Sequence, residues 1–439
     1  MNKPFDSKKE TLEIITHLVI AVFCLPLYQF GGEVFKFLLA PYVIYMLFRM
    51  QPKYIPALLI HFMDGTSMSF LILMGCLIIT IKNIKRLKQL KLRFILILIL
   101  LPMPLFIYNV YLKVLSGNES LISIIRFLFL YLGLFSFFYF LLMARKFKRI
   151  HLKYIFIVLG FAVVLNILSP TTVRYIFFSL PVFVTLLFIS LKKRSFYDPL
   201  FVSSLIMVLL LTLGGTTSTL FFTAIIGAFI AMYYSKRKVL TKRIVYLLFA
   251  ATSLLVVVSV FSYNPSSQKL LNYDLANEEL DVLDPNSIFK RAQFKLFEDR
   301  SPLWYSVYDN YVINGKFSIP IQQNEFTYYT VQGTEIESDL PAHNIYLELI
   351  KKYGIFTGLV LSLVFILMII KSSLILKIKN LNIYLIVISA SIISCGFFGG
   401  MTGQYLLLGT FSFLFMGLAG LCYGIYINHQ QDALNKKFV

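Results

Sequence analysis

The sequence predicts an all-α protein: a polytopic transmembrane helical bundle of about 12 spans, 13 if the N-terminus lies outside, with one large, partly helical extracytoplasmic loop. Three observations predict it. The 439 residues are 58% hydrophobic, with mean hydropathy +0.77 and 14% charged residues, whereas soluble domains carry roughly 25%. Apolar runs of 17 or more residues recur along the chain, enough to cross a hydrocarbon core of about 30 Å. Basic residues gather in the short links between runs: six in Lys82–Arg93, five in Arg145–Lys153, three in Lys192–Arg194, five in Lys236–Arg243 and three in Lys371–Lys379. That asymmetry places those links in the cytoplasm. A β-barrel would alternate apolar and polar residues in segments of about ten, and no such alternation occurs.

The elements follow in order. Met1–Thr11 is polar and mildly basic, and no small-residue cleavage pattern follows the apolar run Leu12–Phe30. It reads as a retained first span, not a signal peptide, and pairs with 34–49 as a hairpin. Segment 54–81 then has to begin and end on the cytoplasmic side. Pro52, Pro56 and the Asp64-Gly65 break favour a re-entrant course, the alternative being an outside N-terminus. His61 and Asp64, three apart, share a face if the segment is helical, and a structural role near the break is the simpler reading. Ten spans follow, at 94–112, 121–143, 154–170, 175–191, 199–213, 217–234, 244–262, 354–370, 381–399 and 404–427. Two are short: 154–170 stops at Pro170 and 199–213 at Gly214-Gly215. Interrupted helices of this kind border water-filled cavities, because unpaired backbone cannot face lipid.

The one long loop, Ser262–Ala342, holds twelve acidic and six basic residues, a net charge of −6, while the rest of the chain carries +26. The overall +20 is therefore a topology signal, not a nucleic-acid footprint. The expected division is 1–261, an N-terminal transmembrane bundle; 262–342, the extracytoplasmic loop; and 343–439, a C-terminal transmembrane bundle. Cys24, Cys76, Cys395 and Cys422 all lie in apolar runs, which excludes a disulfide in the loop and leaves no zinc spacing. Within the loop, apolar and aromatic residues recur at helical spacing from Asn286 to Asn314, broken only at Ser301-Pro302. Two helices joined near Arg300 are predicted. Trp304, the sole tryptophan, belongs to an aromatic face suited to the membrane interface or to the apolar face of a sugar.

Arg300-Ser-Pro-Leu-Trp304, a polar stretch, then His343-Asn344-Ile-Tyr-Leu347 and Tyr353-Gly354-Ile355 running into a span, resemble the O-antigen ligase and O-antigen polymerase superfamily. The specific motifs cover residues 300–358. The resemblance implies a multi-span inner-membrane glycosyltransferase that moves a glycan from a polyprenyl-diphosphate carrier on the outer face, using neither metal nor nucleotide sugar, so no cofactor is expected. It implies His343 as catalytic base, with Arg300, Arg174, Asn344 and Trp304 binding diphosphate or substrate. Many members carry a Ser-Arg-Gly-like segment where this chain reads Leu213-Gly-Gly-Thr-Thr-Ser-Thr-Leu220. Arg174, at an outer mouth, could supply the missing charge. Expected partners are the lipid-linked oligosaccharide donor and acceptor, the bilayer, a chain-length regulator and a flippase.

Physical chemistry supports the roles independently. Asp339 or Ser338 can cap a helix with Pro341 in its first turn. His343 would then lie where the positive end of the helix dipole disfavours imidazolium, leaving the neutral ring a general base needs. An interfacial histidine with a satisfied hydrogen bond is the alternative. A leaving diphosphate needs fixed positive charge, which arginine's planar fork supplies; an ion pair with Asp299 or Glu298 is the alternative for Arg300. Polymerase and ligase differ only in acceptor, and the wider occurrence of polymerases favours the first. A flippase of the same pathway would show internal repeats, midplane charges and short loops; here there is no repeat, most in-span positions are apolar, and one loop is long. A peptidoglycan-polymerising relative would be expected to use an acidic loop residue.

Overall fold

The structure, a computed structural model, describes residues 4–30, 32–64, 67–89, 92–115, 121–168, 176–192, 199–213, 218–234, seven positions between 247 and 261, and then 301–313, 327–329, 335–337, 344–378, 380–400 and 409–435. Apart from one small hairpin they are helical or link helices. The elements before the loop are α1 (Pro4–Phe30), α2 (Gly32–Arg49), α3 (Ile55–His61), α4 (Ser67–Lys82), α5 (Ile84–Gln89), α6 (Arg93–Leu100), α7 (Met103–Leu115), α8 (Leu121–Met143), α9 (Arg149–Leu168), α10 (Ile176–Lys192), α11 (Pro199–Leu213) and α12 (Ser218–Tyr234). In the loop and beyond it lie α13 (Ser301–Tyr308), β1 (Thr327–Tyr329), β2 (Glu335–Glu337), α14 (Ile345–Tyr353), α15 (Ile355–Ser373), α16 (Ile383–Ser394) and α17 (Gly409–Asn435). The antiparallel β1–β2 pair, in register Tyr328 to Ile336, adds one small hairpin to the loop of an otherwise helical structure, as the all-α expectation had it.

Among the described residues, two helical stretches are long and apolar enough to span a membrane, Lys8–Tyr28 and Ile355–Lys377, and six shorter apolar helices accompany them. One continuous apolar core runs through the bundle, from Ala21 in α1 to Tyr423 in α17. Helices on either side of the loop share it. α8 and α17 lie in close contact because Gly417, Gly420 and Gly424 give α17 a face with no side chains. A Cβ on Gly420 would collide with the Phe137 carbonyl oxygen. The predicted span 94–112 is two helices, α6 and α7, interrupted at Leu101-Pro102, where proline cannot donate into the helical ladder.

The segment that sequence left ambiguous is a hairpin of helices. α3 runs alongside α1 in the same direction: Lys53 Nζ meets Glu13 Oε2 at 2.5 Å, the Tyr54 and His17 rings lie 4.9 Å apart, and Tyr28 Oη and His61 Nδ1 share a hydrogen bond. After the tight turn Phe62–Asp64, α4 returns, so that a Cβ on Gly75 would strike Leu47, near the level of the Tyr45–Tyr54 contact. The ascending arm is about 20 Å long and α4 about 24 Å, both short of the roughly 30 Å core. Those lengths are compatible with a re-entrant course, one of the two alternatives the sequence leaves open.

The two chain ends meet one set of links. Glu10 accepts from Lys148 Nζ at 2.7 Å and lies 3.1 Å from His151 Nε2. Arg145 faces Asp432 at 3.9 Å, and Lys146 Nζ donates to the Met50 carbonyl at 3.5 Å. The N-terminus, the 49–53 link, the basic link 145–153 and the C-terminus therefore share one end of the bundle.

Candidate active site

The loop returns to the bundle at α14, and the geometry there is built by its first residue. Asn344 is extended (φ −145°, ψ 121°), and its Oδ1 accepts from the backbone N–H of Tyr346 at 3.0 Å and of Leu347 at 3.2 Å. This is a helix cap of the kind asparagine serves well. α14 therefore starts at Ile345, and Asn344, not Asp339 or Ser338, caps it. The expected start is corrected by these two hydrogen bonds. Position 343 then precedes the cap instead of falling in the first turn. Asn344 is 1% exposed, so its oxygen serves the backbone.

Two contacts hold α14 against its neighbours. Tyr346 Oη donates to the Gly396 carbonyl at 2.8 Å, inside a π-helical turn, Cys395–Gly399, that continues α16. Such turns are rare and concentrate at functional sites. On the other flank Tyr311 Oη donates to the Lys351 carbonyl at 2.9 Å, and Val307 and Tyr311 pack against Leu347 and Ile350. α14 ends at Gly354, whose φ of +79° suits glycine and turns the chain directly into α15.

The loop helix α13 supplies the facing wall. It passes into a second π-helical turn, Asp309–Ile313, in which Asn310 Nδ2 donates to the Ser306 carbonyl at 2.7 Å. Phe261, at the end of the preceding apolar segment, meets the Tyr308 ring at 5.4 Å. Trp304 is fully buried and Tyr311 1% exposed. The indole of Trp304, expected at the membrane interface or against a sugar, is enclosed by protein in this structure. Burial, with the Asp309 carboxylate adding to it, pushes the Tyr305 phenol up.

Residues that sequence reading missed are the buried polar ones around this wall: Asp309, Asn310, Glu348 and Lys351. Glu348 is 3% exposed and lies 3.7 Å from Lys352 Nζ. Burial pushes the Tyr353 phenol up, with Glu348 adding to it. A signal for Glu348 was present, since it falls one helical turn after Asn344, within the same motif. Arg174, Arg300 and His343 lie outside the described residues, as does the predicted helix before Arg300. Among the described residues no group of three or more His, Cys, Asp or Glu side chains could hold a metal ion.

The span that contains this wall, from α11 through the loop to α15, also carries a likeness to known proteins. Residues 200–362 match the family model described as O-antigen ligase. The match contains Arg300, Trp304, the His343-Asn344 pair and the Gly354 elbow. It agrees with the superfamily resemblance read from the motifs, and what it supports is coarse: a likeness to membrane proteins of glycan transfer over that part of the chain. No curated protein and no solved structure matches the chain.

Proposed function

We propose that the protein polymerises polyprenyl-diphosphate-linked oligosaccharide repeat units into a surface polysaccharide on the outer face of the cytoplasmic membrane. The observation that carries this reading is the coincidence of the family match with one junction. There a helix begins two residues after His343, capped by the intervening Asn344 and buttressed by Tyr346 and Tyr311. Twelve crossings fit the architecture, since the re-entrant pair adds none and both termini reach the same end of the bundle. The loop 262–342 then lies outside, between the bundles 1–261 and 343–439.

In this reading His343 accepts the proton of the acceptor sugar's hydroxyl as that oxygen attacks C1 of the donor. The C1–oxygen bond to the diphosphate breaks, and polyprenyl diphosphate leaves with the electron pair. Arg300 and Arg174 offset the charge that develops on it. Trp304 and Asn344 support the site from within the protein, and a chain-length regulator and a flippase act alongside. The description of the matching family as a ligase favours a second reading, in which the same donor is transferred to a different lipid acceptor.

The test uses purified protein and lipid-linked repeat units. A ladder of lengthened lipid-linked chains supports polymerisation, and product formed only when a separate lipid acceptor is added supports ligation. His343→Gln keeps a polar group at that position but cannot take up the proton. It is expected to lose transfer by about 10² to 10⁴ at unchanged membrane abundance. Normal long chains from His343→Gln would remove histidine from the mechanism.

A further inference from the structure

The N-terminal bundle contains a line of protonatable groups that the transfer reaction does not use. It begins at the Glu13–Lys53 pair, 2.5 Å apart. One helical turn along α1, His17 Nδ1 and Tyr42 Oη share a hydrogen bond of 2.5 Å. Tyr42 flanks both imidazoles, with ring centroids 5.9 Å from His17 and 6.1 Å from His61. His61, at the tip of the re-entrant pair, shares a 2.5 Å hydrogen bond through Nδ1 with Tyr28 Oη. His61 is fully buried, and among the described residues its Nε2 has no hydrogen-bond partner.

This arrangement is costly as mere scaffolding. An unmet polar atom deep in an apolar bundle forfeits its hydration with no return, and ionisable residues at such depth mark ion paths and proton relays. Tyr28 follows Glu13 by 15 residues on α1, about 22 Å of rise, so the line covers most of a core about 30 Å thick.

We propose that His17, Tyr42, His61 and Tyr28 form a proton-conducting line through the N-terminal bundle, with one water at His61 Nε2 linking that ring to the Tyr42 hydroxyl. A proton arriving from the Glu13–Lys53 end binds His17 Nε2, and the Nδ1 proton passes to Tyr42. Tyr42 releases its own hydroxyl proton to the water, and the water gives one to His61 Nε2. His61 passes its Nδ1 proton to Tyr28, whose hydroxyl proton leaves to water beyond that end of α1, and rotation of both imidazoles restores their first tautomers before the next proton. Each group ends with as many protons as it began with, so no oxidant, reductant or glycan is needed. The proposal is independent of the transfer reading.

The experiment uses the full-length protein in phospholipid vesicles containing a pH-sensitive dye, with a potassium diffusion potential set by valinomycin. Wild type is expected to carry protons faster than protein-free vesicles. Tyr42→Phe keeps the ring packing and removes the hydroxyl, and His61→Gln removes the titrating ring; each is expected to return the rate to that of empty vesicles. Tyr45→Phe, on a neighbouring tyrosine off the line, should conduct like wild type. Wild-type flux equal to empty vesicles overturns the proposal, as does undiminished flux in Tyr42→Phe. Tyr28→Phe provides a second conservative block if either variant is lost from the membrane fraction.

Discussion

Asn344 shows how a single side chain sets the geometry of a site. Its two accepted hydrogen bonds fix where α14 starts, and that start determines which residue stands before the helix. Asn344→Ala is expected to cost about 1 kcal/mol. A thiol-reactive dye would read the loss as a lower melting temperature, because Cys24, Cys76, Cys395 and Cys422 are all buried and become reactive on unfolding. Asn344→Asp keeps an accepting oxygen and should melt near wild type. Equal melting of the alanine variant would show that the cap contributes nothing. The motif itself was legible in the sequence, but the cap was placed at Asp339 or Ser338, because Pro341 fits a first turn as well as it fits the approach to one. The burial of Trp304 was not legible either, since aromatic spacing on a helix reads the same against lipid, sugar or protein.

At the scale of elements, the decisive contact is between helices far apart in sequence. α8 and α17 approach until the backbone of one meets the glycines of the other, the arrangement that small residues permit where no hydrophobic drive separates helix from lipid. Gly420→Ala should therefore force the helices apart, at about 1–3 kcal/mol for an overpacked core, with lower melting temperature and membrane abundance. Gly160→Ala is the matched control. A Cβ there meets Met207 and Phe183 at 3.6–3.7 Å, ordinary contact distances, and little change is expected. If both variants behave alike, close approach at Gly420 is not what holds α8 to α17. Sequence located α8 at its observed bounds and α17 five residues early at its start and eight short at its end, but not their pairing, because hydropathy periodicity carries no information about partners. Charge parity and two prolines set segment 54–81 apart in the sequence but left two courses open, re-entry or an outside N-terminus, because basic links fix sidedness and not the path between them.

Over the whole molecule, the ion pairs that tie distant segments together among the described residues gather at the end where the sequence placed the basic links. His151 stands at the centre of that clamp. Lys148 N donates to its Nδ1 at 2.9 Å, which puts the ring proton on Nε2, facing Glu10 Oε1 at 3.1 Å. The ring is therefore held neutral. Burial lowers its pKa below the ordinary 6.5, and Glu10 opposes only part of that shift. The sign follows from linkage: below pH 6.5 the unfolded chain binds a proton that the folded ring resists, so stability falls as pH drops through that value. Thiol-dye melting should show wild type losing melting temperature between about pH 7.5 and 5.5. His151→Gln cannot titrate and should show a smaller loss over the same window. An identical slope in the variant would mean that His151 keeps the same proton affinity folded and unfolded.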